Sequence, residues 1–361
     1  MPEELKNWFD KTFYEDLASA LGKAHPALDQ RAFVDAATDG LDALELKQRL
    51  LRTAELCRRY LPPDYGRALD ILCEVAPRYD GQFRGMFAPE FVGLYGLDDR
   101  KRSLEALKYL TRFSTSESAI RPFIEQDLAG TLKVMTRWAK DDNHHVRRLT
   151  SEGCRPRLPW SSRLDALIDD PTPVFPILDT LKADPELYVR KSVANHLNDI
   201  SKDNPEIMLD WVEAWDRQDE RTAWIVRHGA RSLIKAGHPR SFALFGFESK
   251  PRLTVEKLKA APKRINLGDT VTFSFDVVSR ARRDQKLAVD YAIHYVKASG
   301  RPSRKVFKLC EVVLEAGGRQ TIEKRQTFKD FSTRTHHPGR HVFELAINGK
   351  TCGETDFLLK K

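Results

Sequence analysis

The sequence has 361 residues, of which 60 are Lys or Arg and 52 are Asp or Glu, so the formal net charge at pH 7 is +8. Hydrophobic residues make up 41% of the chain and charged residues 31%, which excludes wholesale disorder. No run approaches about 18 consecutive apolar residues, so a membrane-spanning helix is excluded. The five cysteines form no C-x-x-C pair, and the N-terminus has the pattern of neither a signal nor a transit peptide. We therefore expect a reduced, cytosolic protein of two or three domains.

The first 250 residues read as helices, and part of them is an internal repeat. Three Val-Arg steps, at Val146-Arg147, Val189-Arg190 and Val226-Arg227, are spaced by 43 and 37 residues. Helical patterns precede them at 130–141, 174–184 and 204–215, and earlier helix pairs fit the same layout less clearly. This spacing predicts an α-helical HEAT-like repeat solenoid, in which each Val-Arg step lies near the start of an inner helix.

Helical geometry predicts what these inner helices present. At 100° per residue, Val189, Val193 and Leu197 form the packing face of the second repeat. The opposite face is expected to line a concave wall that is basic and amide-bearing with one carboxylate in it, formed by Arg148, Glu152, Arg155, Lys191, Asn195, Asn198, His228, Ser232 and Lys235.

The Val-Arg steps have two interpretations. Arginines at these positions of a solenoid commonly pair with an Asp of the neighbouring repeat. However, two of the three steps are doubly basic and stand at helix N-termini, where free N–H groups and Arg together suit a phosphate. We therefore predict DNA contacts by Arg147, Arg148, Arg155, Arg157, Arg190, Lys191, Asn195, Asn198, Lys202, Arg227 and Arg231.

The segment TSEGCRPRLPW, residues 150–160, is the least repeat-like part of the chain. One interpretation is a rigid loop whose prolines fix its path while Trp160 covers the edge of the stack. The other is catalytic, because a carboxylate in a cationic wall repels phosphate and needs a different partner. A cationic base or a sugar becoming an oxocarbenium ion would be that partner for Glu152, and Trp160 would offer it an aromatic face.

The last 110 residues have a different pattern and a different charge. Residues 251–361 contain 23 Lys or Arg and 12 Asp or Glu, a net charge of +11, whereas residues 1–250 carry −3. Alternating or β-branched runs occur at 271–277, 287–296, 304–314 and 341–347, and Gly317-Gly318 and Asn348-Gly349 predict hairpin turns. About seven short strands favour an all-β immunoglobulin-like sandwich.

We place the domain boundary in 247–251, giving a repeat domain at 1–247 and a sandwich at 252–361. The basic groups of the sandwich are expected to clamp DNA, the alternative being a stabilising appendage with incidental charge. These groups are Arg280, Arg282, Arg283, Lys286, Arg301, Arg304 and Lys305.

Three segments resemble the AlkC branch of the AlkC/AlkD DNA glycosylases. They are TSEGCRPRLPW, VRKSVANHLNDISKDNP (189–205) and LKNWFDKTFYEDLASAL near the N-terminus, and the likeness covers about residues 5–245. The resemblance implies excision of cationic N-methylated bases, mainly 3-methyladenine and 3-methylcytosine, from duplex DNA without deep base flipping. It also implies that Glu152 is the catalytic carboxylate, with Trp160 in the same motif. Asn195 stands where the AlkD branch has an aromatic residue.

Together these features predict a monofunctional glycosylase that leaves an abasic site, since no lysine stands out as a Schiff-base nucleophile. No cofactor is expected. No metal is expected either, because the chain lacks an H-E-x-x-H motif and a spaced Cys/His cluster. We expect a monomer in the bacterial cytosol or nucleoid whose partner is double-stranded DNA with alkylated bases, and no membrane partner. The alternative function is a non-catalytic HEAT-repeat scaffold that binds DNA or protein.

Overall fold

The computed structural model describes residues 4–248, 250–331 and 334–360. The predicted domain bounds extend over residues 1–3, 332, 333 and 361, and the predicted boundary over Ser249, which lie outside the described residues. Two compact units are present. The first runs to Asn204 and includes Asp216–Gly229; the second comprises Pro205–Trp215 and the chain from Ala230 onward. In this division Pro205–Trp215 and the helices after Ala230 group with the strands, whereas the predicted boundary at 247–251 follows the change from helices to strands.

Helices occupy the described chain up to residue 244. They are α1 (Lys11–Ala24), α2 (Gln30–Thr38), α3 (Leu46–Tyr60), α4 (Tyr65–Val75), α5 (Phe87–Tyr95), α6 (Arg100–Leu110), α7 (Arg121–Gln126), α8 (Leu128–Trp138), α9 (His144–Glu152), α10 (Asp165–Asp169), α11 (Phe175–Leu181), α12 (Leu187–Asp203), α13 (Pro205–Glu213), α14 (Glu220–Gly229), α15 (Arg231–Ala236) and α16 (Pro239–Leu244). None of the described helices is both long enough and apolar enough to span a bilayer.

The predicted inner helices are confirmed as α9, α12 and α14. Their valines Val146, Val189 and Val226 are at most 1% exposed. In the first unit α12 packs against both α9 and α14. The predicted packing face of α12 is also confirmed, since Val193 and Leu197 have no exposed surface. Apolar side chains at helical spacing thus bury one side of each inner helix and position its other side.

One glycine sets how closely two of these helices approach. A Cβ added at Gly229, the last residue of α14, would lie 2.7 Å from Cβ of Leu197 on α12. That separation is too short for two carbon atoms, so a side chain at position 229 would force the two helices apart. The close packing of α12 on α14 therefore depends on this glycine.

The second unit contains a two-sheet sandwich. Its strands are β1 (Leu253–Ala261), β2 (Arg264–Asn266), β3 (Thr270–Ser279), β4 (Gln285–Val296), β5 (Pro302–Leu314), β6 (Arg319–Thr327), β7 (Gly339–Ile347) and β8 (Lys350–Lys360). Among the described residues one sheet has the order β1-β3-β6 and the other β2-β8-β7-β4-β5. The pairings are antiparallel except that of β2 with β8. The first strand segment thus changes sheet at Pro262, which has no N–H to continue a ladder.

Aromatic side chains from both sheets fill the sandwich core. Phe273 of β3 stacks on Phe343 of β7 with ring centroids 4.1 Å apart, and Tyr291 of β4 stacks on the same ring at 5.3 Å. The predicted immunoglobulin-like sandwich is confirmed by this architecture.

Of the two predicted hairpin turns, one is confirmed and one is wrong. Asn348 and Gly349 connect β7 directly to its partner β8, with φ of 46° and 75°, as a two-residue hairpin turn requires. Gly317 and Gly318 instead connect β5 to β6, which belong to different sheets. Gly317 has φ of 66°, so the glycines supply a tight turn, but the turn sends the chain across the core.

The helix approach at Gly229 gives a stability prediction. Gly229→Ala is expected to lower the free energy of unfolding by about 1–3 kcal/mol, because overpacking outweighs the lower helix propensity of glycine. Gly66→Ala is the matched control: its Cβ would meet Nη1 of Arg102, the movable end of a long side chain. We expect a change below about 1 kcal/mol there. Urea unfolding of both variants measures the difference, and equal values would contradict a rigid α12–α14 contact.

Candidate functional site

The candidate site forms where α9 ends. Asn143 caps the N-terminus of α9 by accepting hydrogen bonds from the N–H groups of His145 and Val146. The helix ends at Glu152, and the next residue is a glycine for a steric reason: a Cβ on Gly153 would lie 2.6 Å from Cγ2 of Ile120. The chain then leaves the helix axis, so Glu152 is the last residue that helical geometry positions.

Glu152 is held between two arginines. Its residue surface is 6% exposed. Nη1 of Arg155 donates a hydrogen bond to Oε1 of Glu152 at 2.6 Å, and Nη2 of Arg148 lies 3.5 Å from the same oxygen. Two guanidinium groups thus compensate the charge of a nearly buried carboxylate and fix its orientation.

The ion pairs continue from Glu152 to α12. Nε of Arg155 donates to Oδ2 of Asp199 at 2.8 Å, and Nζ of Lys202 donates to Oδ1 of Asp199 at 2.9 Å. Asp199 is only 1% exposed. The result is a row of alternating charges that joins the end of α9 to the C-terminal part of α12. We call this row, Arg148–Glu152–Arg155–Asp199–Lys202, the charge ladder.

A second carboxylate lies at the other end of the charge ladder. Nη1 of Arg148 donates hydrogen bonds to Oγ1 of Thr115, at 2.9 Å, and to Oε2 of Glu117. The guanidinium also lies 4.9 Å from the ring centroid of Tyr188. Glu117 was not among the residues predicted from the sequence. It stands in the connection between α6 and α7, where only the tertiary structure brings it to α9.

A buried arginine supports the loop that follows Glu152. Arg121 is 1% exposed, and its Nη1 donates to the carbonyl oxygens of Gly153 and Arg155, both at 2.9 Å. Its Nη2 donates to the carbonyl of Ser162 at 2.5 Å. Burial lowers the pKa of Arg121. One side chain therefore fixes both ends of the 153–162 loop.

Trp160 projects from this loop. It is 67% exposed and has φ of 66°, in the left-handed region that non-glycine residues rarely adopt. Such strain persists where neighbouring contacts fix the backbone. Here Nζ of Lys47 donates to the Trp160 carbonyl, and the hydroxyls of Ser118 and Ser161 are 2.7 Å apart.

A cavity of about 480 Å³ opens within the first unit beside these groups. Glu117, Arg148, Trp160 and Tyr188 all belong to its lining. The structure thus brings one predicted catalytic residue, Trp160, to the same cavity as an arginine that contacts the other, Glu152. Chemically, the arrangement offers fixed negative charge next to two aromatic faces.

Several of the predicted DNA-binding arginines are paired with acidic or carbonyl groups of the protein. Nε and Nη2 of Arg147 donate to Asp184 at 2.7 and 3.1 Å, and Nη1 of Arg190 donates to the carbonyls of Asp184 and Pro185. Arg157 donates to both carboxylate oxygens of Asp203, at 2.7 and 2.6 Å. The Arg147–Asp184 contact matches the repeat-to-repeat pairing that was the alternative interpretation of the Val-Arg steps.

The concave wall needs a correction at three positions. Glu152, Arg155 and Asn198 were expected on its exposed face, but they are 6%, 7% and 4% exposed. The physical reason is that α9 ends at Glu152, so position 155 no longer follows the helical wheel. The loop carrying Arg155 folds onto α12 at Asp199 and covers that part of the wall.

The remaining predicted contacts are at least partly accessible. Lys191 is exposed on α12, the Lys202 side chain is 44% exposed, and Asn195 is half-buried. Arg227 is half-buried on α14, whereas Arg231 begins α15 and belongs to the second unit.

A cluster with metal-ligand chemistry occurs in the sandwich, at His294, Glu344 and Glu354. Arg304 donates to both Glu344 oxygens at 3.0 and 2.9 Å, and Thr351 and His294 contact the same carboxylate. The Arg304 guanidinium lowers the pKa of Glu344 to about 2. The carboxylate is thus already saturated by a cation, which identifies the cluster as an ion-pair network.

Comparisons with known proteins found matches for both the helical part and the sandwich. Residues 105–233 match the family model of DNA alkylation repair enzymes, and residues 254–361 match that of the C-terminal Ig-like domain of the uncharacterised protein YhaZ. YhaZ of Bacillus subtilis (strain 168) is 39% identical over 355 residues, covering 98% of this chain and 99% of that protein. The Pseudomonas fluorescens alkylpurine DNA glycosylase AlkC, solved bound to DNA containing an abasic site analog, is 46% identical. It covers 99% of this chain and 100% of its own, with a TM-score of 0.93.

A buried histidine behind Glu152 gives a pH prediction. Nδ1 of His196 lies 2.9 Å from the carbonyl of Ser151, so it carries the proton and donates it, and burial lowers the pKa of His196 to about 3. The pKa of His196 is lower in the folded than in the unfolded protein. Its contribution to the free energy of unfolding is therefore fully present above about pH 6.5 and is lost as the pH falls toward 3.

We expect wild type to lose about 2 kcal/mol between pH 7.5 and pH 5 through this residue. His196→Asn keeps a donor near Ser151 but does not titrate. Between pH 7.5 and pH 5 its free energy of unfolding should therefore fall by about 2 kcal/mol less than that of wild type. Urea unfolding of both proteins at both pH values tests the difference. The same pH dependence in both proteins would contradict the assignment.

Proposed function

The chain belongs to the AlkC branch of the DNA alkylation repair enzymes, and we propose that it hydrolyses the N-glycosidic bond of cationic N-alkylated bases in duplex DNA. The proposed substrates are 3-methyladenine and 3-methylcytosine, and the product is an abasic site. The similarity to an AlkC bound to abasic-site DNA supports both duplex DNA as the partner and glycosylase activity as the reaction.

The chemistry explains why so few groups suffice. A 3-methylated adenine or cytosine in DNA carries a positive charge and leaves as a neutral base, so no general acid is needed. Positive charge develops on the sugar instead, and a fixed carboxylate stabilises it. One such group is worth about 3–4 kcal/mol of barrier, by analogy with removing one oxyanion-hole donor.

The observation that carries the proposal is the position of Glu152 in the charge ladder. Its two arginine contacts fix the orientation of the carboxylate. Glu117, bound to the same Arg148, places a second carboxylate on the cavity. We assign Glu152 the stabilisation of the sugar cation. Glu117 is assigned the role of orienting the attacking water, since of these two carboxylates Glu117 is the one that lines the cavity.

Trp160 and Tyr188 supply the recognition surface for the base. Both rings line the cavity and are exposed, at 67% and 42%. Aromatic faces attract cations, so they favour a positively charged base over a neutral one. Since Trp160 stands out from the surface, it reaches the alkylated edge of a base that remains within the duplex, consistent with excision without deep flipping.

The proposed reaction is monofunctional, with phosphate contacts by exposed cations. Lys202, one of the two lysines nearest the site, is engaged with Asp199, and Lys191 is exposed on the same helix. We assign both to the DNA backbone, together with the accessible parts of Asn195, Arg227 and Arg231. The paired arginines Arg147, Arg157 and Arg190 then act by shaping that surface.

Exchange of the catalytic carboxylate tests the chemistry. Glu152→Gln should reduce single-turnover release of 3-methyladenine by about 100- to 1,000-fold while retaining binding to the same duplex, because the amide keeps the shape and loses the charge. The assay is base release from methylated duplex DNA followed by chromatography. The product strand should remain intact until alkali cleaves it at the abasic site.

Glu117→Gln is the matched variant on the same arginine. A large loss for Glu117→Gln with none for Glu152→Gln would move the charge-stabilising role to Glu117. Undiminished release by both variants would refute carboxylate catalysis at this site.

The sandwich is proposed to contribute phosphate contacts of its own. Four of its seven predicted clamp residues are engaged within the protein: Arg280 with Glu256, Arg283 with Glu248, Arg304 with Glu344, and Lys286 with the carbonyl of Phe245. The other three are exposed and have no carboxylate partner among the described residues, namely Arg282, Arg301 and Lys305. Arg282 precedes β4, whereas Arg301 lies in the connection after β4 and Lys305 of β5 pairs with Ile293 near the end of β4, so they form two separate groups.

Salt dependence distinguishes the two groups. Each lost phosphate contact lowers the slope of log K against log salt by about 0.9. We expect Arg301→Gln/Lys305→Gln or Arg282→Gln to reduce the slope of full-length protein on undamaged duplex, and the group that does so identifies the DNA-facing end of the sandwich. Unchanged slopes for both would show that none of these three residues contacts a phosphate.

A further inference from the structure

A third carboxylate faces the cavity, away from the charge ladder. Glu90 of α5 lines the cavity and is mostly buried. It makes no hydrogen bond and no ion pair with any residue that the structure describes. Burial raises its pKa, an effect that the positive charge of Lys47 opposes. A carboxylate that lines a cavity and has no partner among the described residues is available to a ligand of opposite charge.

The surroundings of Glu90 define the chemistry of that ligand. The apolar part of the lining consists mainly of Phe83, Met86, Leu94, Leu50 and Trp160. The nearby cation is Lys47, whose ammonium group donates a hydrogen bond to the carbonyl of Trp160 rather than to Glu90. A negative charge among aromatic and aliphatic groups suits a ligand that is itself apolar in surface and positive in charge.

Glu90 also has a local structural explanation, which covers only part of the observation. It stands in the first turn of α5, where an acidic residue is stabilised by the helix dipole. The dipole accounts for an acidic residue at this position. It does not account for the position of this carboxylate on the cavity without a partner in the described part of the chain.

We propose that Glu90 is a specificity-determining residue that recognises the positive charge of an N-alkylated base in this cavity. The inference rests on the proposed function and names the residue that separates charged from neutral lesions. Glu117 and Arg148 line the same cavity as Glu90, so in this proposal a base that meets Glu117 also presents its alkylated edge to Glu90. A volume of about 480 Å³ lies within the range of small-molecule sites, which leaves room for that edge and its alkyl group.

The test compares two duplexes that differ in lesion charge. One contains 3-methylcytosine, which is cationic, and the other 3-methyluracil, a neutral base of nearly the same shape. A 2′-fluoro group on both damaged sugars suppresses excision during the measurement. Fluorescence anisotropy gives the two dissociation constants, and their ratio is the preference for charge. Because both constants come from the same protein, a reduced folded fraction cancels in the ratio.

We expect Glu90→Gln to lower this preference about five- to tenfold relative to wild type while affinity for the 3-methyluracil duplex stays the same. Glu90→Asp, which keeps the charge, should retain most of the preference. Glu105→Gln is the matched control, because Glu105 is an exposed carboxylate of α6 outside the cavity lining and its exchange alters the net charge equally. Its ratio should equal that of wild type.

The outcomes separate this inference from the proposed function. If wild type releases methylated bases and prefers the cationic duplex, but Glu90→Gln keeps the full preference, the role of Glu90 is overturned while the glycosylase stands. An equal loss in Glu105→Gln overturns it too, because the effect would then be general electrostatics. If wild type neither releases bases nor distinguishes the duplexes, the proposed function and this inference fail together.

Discussion

The guanidinium of Arg155 is the contact on which the site depends. It lies between the carboxylates of Glu152 and Asp199, and so it ties the end of one repeat to the middle of the next. All three groups are at most 7% exposed. Removal of Arg155 would leave the Glu152 carboxylate with only its 3.5 Å contact to Arg148, and breaking a buried ion pair in this way typically costs about 3–5 kcal/mol. The register between α9 and α12 is therefore fixed by charge as well as by the valines that pack beneath it.

Arg121 adds a second constraint of a different kind. Its partners are backbone carbonyls, so it fixes the course of the 153–162 loop whatever side chains the loop carries. The two arginines divide the work: Arg155 orients the carboxylate, and Arg121 holds the backbone from which Trp160 projects. A site built in this way is preorganised before DNA arrives, which is what electrostatic stabilisation of a sugar cation requires.

The sequence predicts features that repeat or that follow one helix, and it misses those that depend on packing between distant segments. Val146, Val189 and Val226 mark the inner helices because burial of one face imposes the 3.6-residue period. Arg147 and Asp184 are 37 residues apart, close to the length of one repeat, so the repeat period predicts that they can pair. The contact of Glu117 with Arg148 cannot be predicted in this way, since it arises from a loop that no periodicity positions. Gly317-Gly318 shows the same limit in the sandwich: two glycines specify a tight turn, but the partner of the next strand decides whether it is a hairpin.

Carboxylates on a DNA-binding surface carry an electrostatic cost, and their arrangement here shows how that cost is contained. Glu117 and Glu152 share Arg148, and Asp184, Asp199 and Asp203 are each held by an arginine, so most of the negative charge is neutralised locally. Because these arginines contact carboxylates, they are not available to bind phosphates directly. In the proposed function, affinity for the DNA backbone comes mainly from exposed cations, such as Lys191 on α12 and the exposed basic groups of the sandwich. The two proposed tasks are then separate: paired charges shape and hold the proposed catalytic surface, and exposed cations contact the phosphates whatever the DNA sequence.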